Sequence, residues 1–150
     1  MTIIKKTQLT ATELDTVSAI WLDGNLSGHP FIASTYWREQ QPLVRKQLAQ
    51  TPLLVALIDN QIVGFLGLQG SYIAGIFVAA AYRDQGIGGQ LLTAAQADQP
   101  ELTLAVYHQN IRAVAFYVRH GFHRLTSEVE AATGARFDTL IWKKPDKDLL

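Results

Sequence analysis

Between Val78 and Leu92 the chain runs Val-Ala-Ala-Ala-Tyr-Arg-Asp-Gln-Gly-Ile-Gly-Gly-Gln-Leu-Leu, placing Arg83, Gly86, Gly88 and Gly89 between a strand-like and a helix-like segment. The first amides of a helix have no partner within it and carry the positive end of its dipole. Glycines let an anion approach the backbone closely, so such a turn suits a phosphate. Arg83 adds a full positive charge beside it. A P-loop needs Gly-Lys-Ser/Thr where this chain has Gly88-Gly89-Gln90, and GxGxxG needs a glycine where Leu91 stands, so neither nucleotide motif is present. Without Arg83, the turn would read equally well as a tight connection that only packs helix on sheet.

A second constellation follows in Val106-Tyr-His-Gln-Asn110-Ile-Arg-Ala113-Val-Ala-Phe-Tyr117-Val-Arg-His-Gly121-Phe122. Asn110 is placed to cap a helix. Asn110, Ala113 and Tyr117 are spaced i, i+3 and i+7 on one helical face, with Tyr117 roughly 10 Å along the axis from the cap. One extended ligand can touch all three. Taken alone, the pair also reads as a plain N-cap and a half-buried tyrosine.

The elements that must hold these groups alternate in type. Thr2 to Thr7 is β-branched and strand-like, and Thr10-Ala-Thr-Glu13 is a capping box opening a helix expected to end near Leu22. Asp23 to Ile32 is rich in turn residues. Tyr36 to Leu48 is helical in composition but contains Pro42, which predicts two short helices or one kinked helix. Leu53–Ile58 and Ile62–Leu68, joined by Asp59-Asn60, read as an antiparallel hairpin, and Tyr72–Val78 as a third strand. A helix carrying Ile87, Leu91, Leu92 and Ala95 on one stripe, a strand at Leu102–Tyr107, and a helix with Ile111, Val114, Ala115 and Val118 as its apolar stripe come next. Gly121 sits where a left-handed cap belongs, and the remainder supplies two closing strands around a turn at Ala131–Gly134. The fold class is α/β with a mixed sheet, in one domain spanning residues 1–150.

Composition narrows the function. The chain has 150 residues, 13 basic and 13 acidic side chains, and a formal net charge of zero, so it offers no electrostatic footprint for nucleic acid. It has no cysteine, which excludes a disulfide scaffold, a thiolate metal site and a cysteine nucleophile. His120 and His123 form H-x-x-H, but Gly121 between them should end the helix, so no metal is expected. Met1-Thr-Ile-Ile-Lys-Lys lacks the order of a signal peptide, and the stretch from Ile73 to Tyr82 is too short to span a bilayer. The expectation is a cytoplasmic protein without a membrane partner.

Arg83-x-x-Gly86-x-Gly88 followed by Asn110-x-x-Ala113-x-x-Phe116-Tyr117-x-x-x-Gly121-Phe122 resembles the GCN5-related N-acetyltransferase superfamily, and the resemblance covers nearly the whole chain in length and element order. Trp21-Leu-Asp-Gly-Asn-Leu-Ser-Gly-His29-Pro-Phe-Ile32, Tyr36-Trp37-Arg38 and Pro42-Leu-Val-Arg45 look like a bacterial branch of small members, some of which modify protein lysines. The resemblance implies a sheet of about six or seven strands flanked by about four helices, splayed between the fourth and fifth strands. It implies acetyl-CoA as cosubstrate and a primary amine as acceptor, which attacks the thioester directly. Gln85, Gly86, Ile87, Gly88 and Gly89, with Arg83, would hold the pyrophosphate, Phe77 and Val78 the pantetheine arm, and Asn110 the arm from the next helix. Tyr117 would give a proton to the departing sulfur.

Two positions depart from the family pattern. Many members carry a glutamate near the third and fourth strands, whereas Tyr72-Ile-Ala-Gly-Ile-Phe-Val78 contains no acid, and Ala80 stands where proline is frequent. The base is therefore unassigned. His29 is a candidate because histidine titrates near neutrality, beside the reading of a packing histidine or a water chain to Tyr107. Trp37 and Tyr72 are candidates for the edge of an acceptor groove; Trp21, Phe31 and Phe65 read as core. The acceptor class, from amino acids and antibiotics to polyamines, peptide amino termini and protein lysines, stays open, as does the choice of monomer or homodimer. A noncatalytic acyl-CoA-binding regulatory module is the alternative, favoured by the missing acid and disfavoured by Tyr117.

Overall fold

In a computed structural model, residues 1–146 are described. β1 (Thr2–Lys6) leads to α1 (Ala11–Gly28), whose start is held by the capping box: the Thr10 side chain accepts from the Glu13 amide at 3.1 Å and the Thr10 amide donates to Glu13 at 2.9 Å. α1 runs six residues past the expected end at Leu22, through Asp23-Gly24-Asn25. Gly24 and Asn25 serve packing here. A Cβ on Gly24 would lie 2.7 Å from the Phe77 ring, and Asn25 is buried with its amide donating to the Trp21 carbonyl at 2.9 Å.

α2 (Ser34–Leu48) is one helix through Pro42 rather than two. The proline leaves the carbonyl of exposed Arg38 without its helical donor, which water can replace, and α2 is anchored to α1 on both sides of it. Gln41 donates to the Ser18 hydroxyl at 3.2 Å and Arg45 pairs with Asp15 at 2.6 Å.

β2 (Leu53–Ile58) and β3 (Gln61–Gln69) form the expected hairpin, with Asp59 and Asn60 both left-handed at φ 50° and 61°, as a type I′ turn requires. β4 (Tyr72–Val78) pairs antiparallel with β3, and a short helical turn at Ala80–Tyr82 leads into α3 (Ile87–Asp98). β5 (Glu101–Tyr107), α4 (Ile111–Arg119), β6 (His123–Val129) and β7 (Arg136–Lys143) complete the chain. The described strands form one seven-stranded sheet in the order β1-β2-β3-β4-β5-β7-β6. One core beneath α3 and α4 contains Leu91, Leu92, Leu104 and Tyr117, while the opposite face buries Val17, Leu48, Val55 and Phe65 beneath α1 and α2.

The face that α4 turns inward differs from the expected stripe. Ile111 and Val118 are solvent-exposed, at 76% and 55%, whereas Ala113, Val114, Phe116 and Tyr117 pack on the core. Burying Tyr117 against Phe122, with Phe116 packed beside it, outweighs burying the aliphatics opposite them.

β4 contains the irregularity that shapes the site. Gly67 pairs with Gly75 but Leu68 pairs with Ile73, so Ala74 is an extra residue on β4. A one-residue bulge reverses the facing of everything beyond it: Ile73 lies in the α3 core, yet Phe77 packs on the α1 side. There its ring covers Gly75, where a Cβ would approach it to 2.4 Å. Gly75→Ala must push that ring off its seat against Gly24, and it is expected to lower unfolding free energy by about 1–3 kcal/mol in chemical denaturation. An unchanged midpoint would mean that the ring has room to move.

Candidate active site

Only Tyr72–Thr103 and Ile73–Leu104 pair between the parallel strands β4 and β5, although β5 is paired along its whole length with β7. Past Ile73 the two strands diverge, and the opening is part of a cleft of about 1440 Å³. The residues expected to act together line it: Phe77, Val78, Arg83, Gly86, Ile87, Gly88 and Gly89 on one side, Asn110, Ala113 and Tyr117 on the other, and His29, Trp37, Tyr72 and Tyr107 beyond them.

The glycine turn leaves the start of α3 open. Gly86 is the N-cap of α3 at φ 82°, a conformation that suits glycine, and no side chain caps the helix. The first intrahelical bond runs from the Gln90 amide to the Gly86 carbonyl at 3.1 Å, leaving the amides of Ile87, Gly88 and Gly89 without helical acceptors. These features fit a pyrophosphate. Gln85 lies outside the cleft lining, its side chain turned back toward the Ala81 carbonyl at 3.5 Å.

Arg83 is placed differently from a free charge beside that turn. Its guanidinium pairs with Asp23 at 2.7 Å, donates to the Val78 carbonyl at 3.0 Å and reaches Ser27 at 3.4 Å. It therefore ties α1 to the end of β4. A second pair, Arg112 with Asp84 at 2.8 Å, lies at the solvent edge of the same turn.

Asn110 caps α4, accepting from the Ala113 amide at 3.3 Å. With its oxygen so used, its amide nitrogen donates to His29 Nε2 at 3.2 Å. Tyr117, on the inward face of α4, is 8% exposed, and burial, with Tyr72 adding, raises its hydroxyl well above the usual tyrosine range. The hydroxyl thus holds its proton. Tyr72 is likewise raised by burial, partly opposed by the Ala105 backbone.

His29, at the C-terminal end of α1, stacks on Trp37 at 5.2 Å between centroids and meets Tyr107 edge-on at 4.9 Å and Phe31 at 5.7 Å. In this arrangement its Nε2 lone pair is occupied by Asn110 and its Nδ1 is buried without an aligned partner. The ring is a wall of the cleft. His108 is turned away, its Nδ1 2.9 Å from Asp138, and His120 donates to the Phe116 carbonyl at 2.8 Å. Among the described residues, no group of three His, Cys, Asp or Glu side chains is arranged to hold a metal, and no helix is long and apolar enough to cross a membrane.

Glu130, which no sequence motif marks, also lines this cleft. It follows β6 at the closing turn, and its carboxylate accepts from the Tyr107 and Thr133 hydroxyls, each at 2.6 Å. Burial, with this carboxylate adding, raises Tyr107 far above the ordinary tyrosine range, and both effects raise Tyr36. The acidic residue just before a turn was visible; its 23-residue reach back to Tyr107 was not.

Burial lowers the pKa of His29 below its ordinary 6.5, with the Asn25 backbone and the Glu130 charge opposing. The unfolded chain therefore binds the proton more readily between the folded value and 6.5, and stability is complete above that window and falls as pH drops through it. Chemical denaturation at descending pH should show this loss beginning near 6.5, and His29→Phe should reduce it. The lowered carboxyls of Glu13 and Asp138 act only below their ordinary 4.5 and 3.8. An equal slope in the variant would place the loss elsewhere.

A family model described as an acetyltransferase (GNAT) domain matches residues 30–138. The peptidyl-lysine N-acetyltransferase YiaC of Escherichia coli is 39% identical over 114 residues, covering 75% of this chain and 78% of that protein. The peptidyl-lysine N-acetyltransferase YjaB of the same organism is 38% identical over 105 residues, 69% of this chain and 71% of its own. The solution structure of apo YjaB superimposes with a TM-score of 0.82 at 30% identity, covering 95% of this chain and 98% of that one. At 20% identity, the PaiA N-acetyltransferase of Thermoplasma acidophilum, solved with coenzyme A, shares the fold with a TM-score of 0.69 over 96% of this chain and all of its own. With its sheet splayed after Ile73 and an uncapped glycine turn facing the opening, the chain belongs to the GCN5-related N-acetyltransferase family.

Proposed function

We propose that the protein moves an acetyl group from acetyl-CoA to a primary alkylamine, the lysine side chain being the leading class, by direct attack of the amine within a complex holding both substrates. The observation that carries this reading is the opening between β4 and β5, with free amides of Ile87, Gly88 and Gly89 at one side and a buried, protonated Tyr117 at the other. The names of YiaC and YjaB support the lysine class.

The pyrophosphate of acetyl-CoA sits on the Gly86–Gly89 amides, where the α3 dipole and the absence of a side-chain cap favour an anion. The pantetheine arm follows the edge of β4 at Phe77 and Val78 that β5 leaves unpaired. Asn110 borders the arm from α4. Acetyl-CoA supplies an activated acyl group, so no enzyme nucleophile is needed. The amine attacks in its neutral form, its ammonium proton having passed to solvent. As its nitrogen bonds to the carbonyl carbon, the carbon–sulfur bond breaks, the sulfur takes the Tyr117 hydroxyl proton, and the proton that nitrogen sheds on becoming an amide returns through water to the tyrosinate. β4 carries no carboxylate from Tyr72 to Val78, so recognition of the amine falls to groups across the cleft, Tyr36, Trp37 and Tyr107 beside His29.

Acetyl-CoA-dependent thiol release over lysine peptides, amino acids, polyamines and aminoglycosides tests the reading. Turnover is expected with lysine peptides, and Tyr117→Phe should lower kcat by about 10² to 10⁴ with acetyl-CoA affinity nearly intact. Undiminished turnover rejects the proton-donor role. Arg83→Glu places a carboxylate beside Asp23 at the phosphate turn and should weaken acetyl-CoA binding by about tenfold, read by calorimetry. Unaltered affinity would remove Arg83 from the binding site.

A further inference from the structure

Two carboxylates line the cleft, and their situations differ. Asp84 is neutralised by Arg112 at the phosphate turn. Glu130 stands beside Tyr107, and no Lys or Arg side chain pairs with it among the described residues. Both hydroxyls that donate to it, from Tyr107 and Thr133, fall on the same oxygen, Oε1. Around it the walls are aromatic: Tyr107 meets His29 at 4.9 Å, Phe31 at 5.8 Å and Trp37 at 6.1 Å, and Tyr36 meets Trp37 at 4.9 Å.

Glu130 also closes its own turn, the Glu130 amide donating to the Ala135 carbonyl and the Gly134 amide to the Glu130 carbonyl, both at 2.8 Å. That task needs the backbone and one acceptor oxygen, which glutamine provides equally. Neither the turn nor the two hydroxyl donors make use of Oε2 or of the carboxylate's charge. The charge is warranted if a cation arrives. Aromatic faces attract cations and accept methylenes, and a carboxylate forms its strongest hydrogen bonds with an ammonium.

We infer that Glu130 is the acceptor-recognition residue, binding the charged end of an alkylammonium through Oε2 while the methylene stem lies against Tyr36 and Tyr107. The inference rests on the acetyl-transfer reading for its biological meaning, but the binding itself does not depend on it. The cleft so arranged selects a cationic amine on a flexible aliphatic arm and disfavours anionic acceptors.

The probe is n-butylammonium, a lysine arm without its backbone, titrated without acetyl-CoA and followed through the side-chain resonances of His29 and Trp37. Saturable shifts are expected in the wild type and about ten- to hundredfold weaker binding in Glu130→Gln, with n-butanol shifting neither. Glutamine keeps an acceptor for Tyr107 and Thr133, so the turn survives. A kinetic arm compares a lysine peptide with a peptide bearing an aminooxy group, which is uncharged at neutral pH. Glu130→Gln should raise KM for the first by a similar factor with little change in kcat and leave the second unchanged. Equal binding in both proteins, no butylammonium binding by the wild type, or equal losses for the two peptides would overturn the proposal. Failure of the butylammonium arm with lysine peptides still acetylated would leave the acetyl-transfer reading standing. Binding without any turnover would sink that reading and not this one.

Discussion

Two strands that begin as neighbours and then part organise the whole molecule. Parallel pairing of β4 with β5 lasts for two residue pairs, and the backbone groups freed beyond Ile73 must then find other partners. The extra residue at Ala74 redirects the end of β4 toward α1. Once there, the strand is held by Phe77, seated between Gly24 and Gly75, and by Arg83, which joins the Val78 carbonyl to Asp23. On the other side β5 cannot follow, because β7 pairs with every one of its residues. The opening is therefore held from both edges by contacts within the chain.

The same arrangement gives the two ends of the cleft different chemistry. At the turn before α3, unpaired amides and the helix dipole present positive potential without a side chain in the way. Across the cleft, burial favours uncharged forms: His29 is lowered, and Tyr72, Tyr107 and Tyr117 are raised. A phosphate suits the first environment and an amine beside protonated phenols the second. Glu130 interrupts the second with one negative charge, carried there by the turn that closes the sheet.

Asn110 links these regions. Its oxygen completes the start of α4, which aims Tyr117 into the cleft, and its nitrogen fixes the ring of His29 at the end of α1. The close approach depends on Gly28, where a Cβ would lie 3.3 Å from the Asn110 amide nitrogen. Turn-forming residues in α1 are thus explained by what passes over them. The same holds for Gly24 and Phe77.

Local order was legible in the chain itself. The capping box at Thr10, the hairpin at Asp59-Asn60, the glycine turn before Ile87 and the cap at Asn110 are interactions between residues a few positions apart, and each formed as the spacing dictates. So were the strand–turn–helix units that resemble the acetyltransferases. What the tertiary structure decided is where distant surfaces meet. α1 continues through Asp23-Gly24-Asn25 because β4 packs on it, and α4 buries Tyr117 rather than Ile111 and Val118 because Phe122 and the sheet offer its aromatic face more contact. Arg83 meets Asp23 across 60 residues and Glu130 meets Tyr107 across 23, pairings that follow from sheet order and register. Short-range propensity carries no information about such contacts, since they are fixed by the packing of whole elements rather than by the spacing of neighbours.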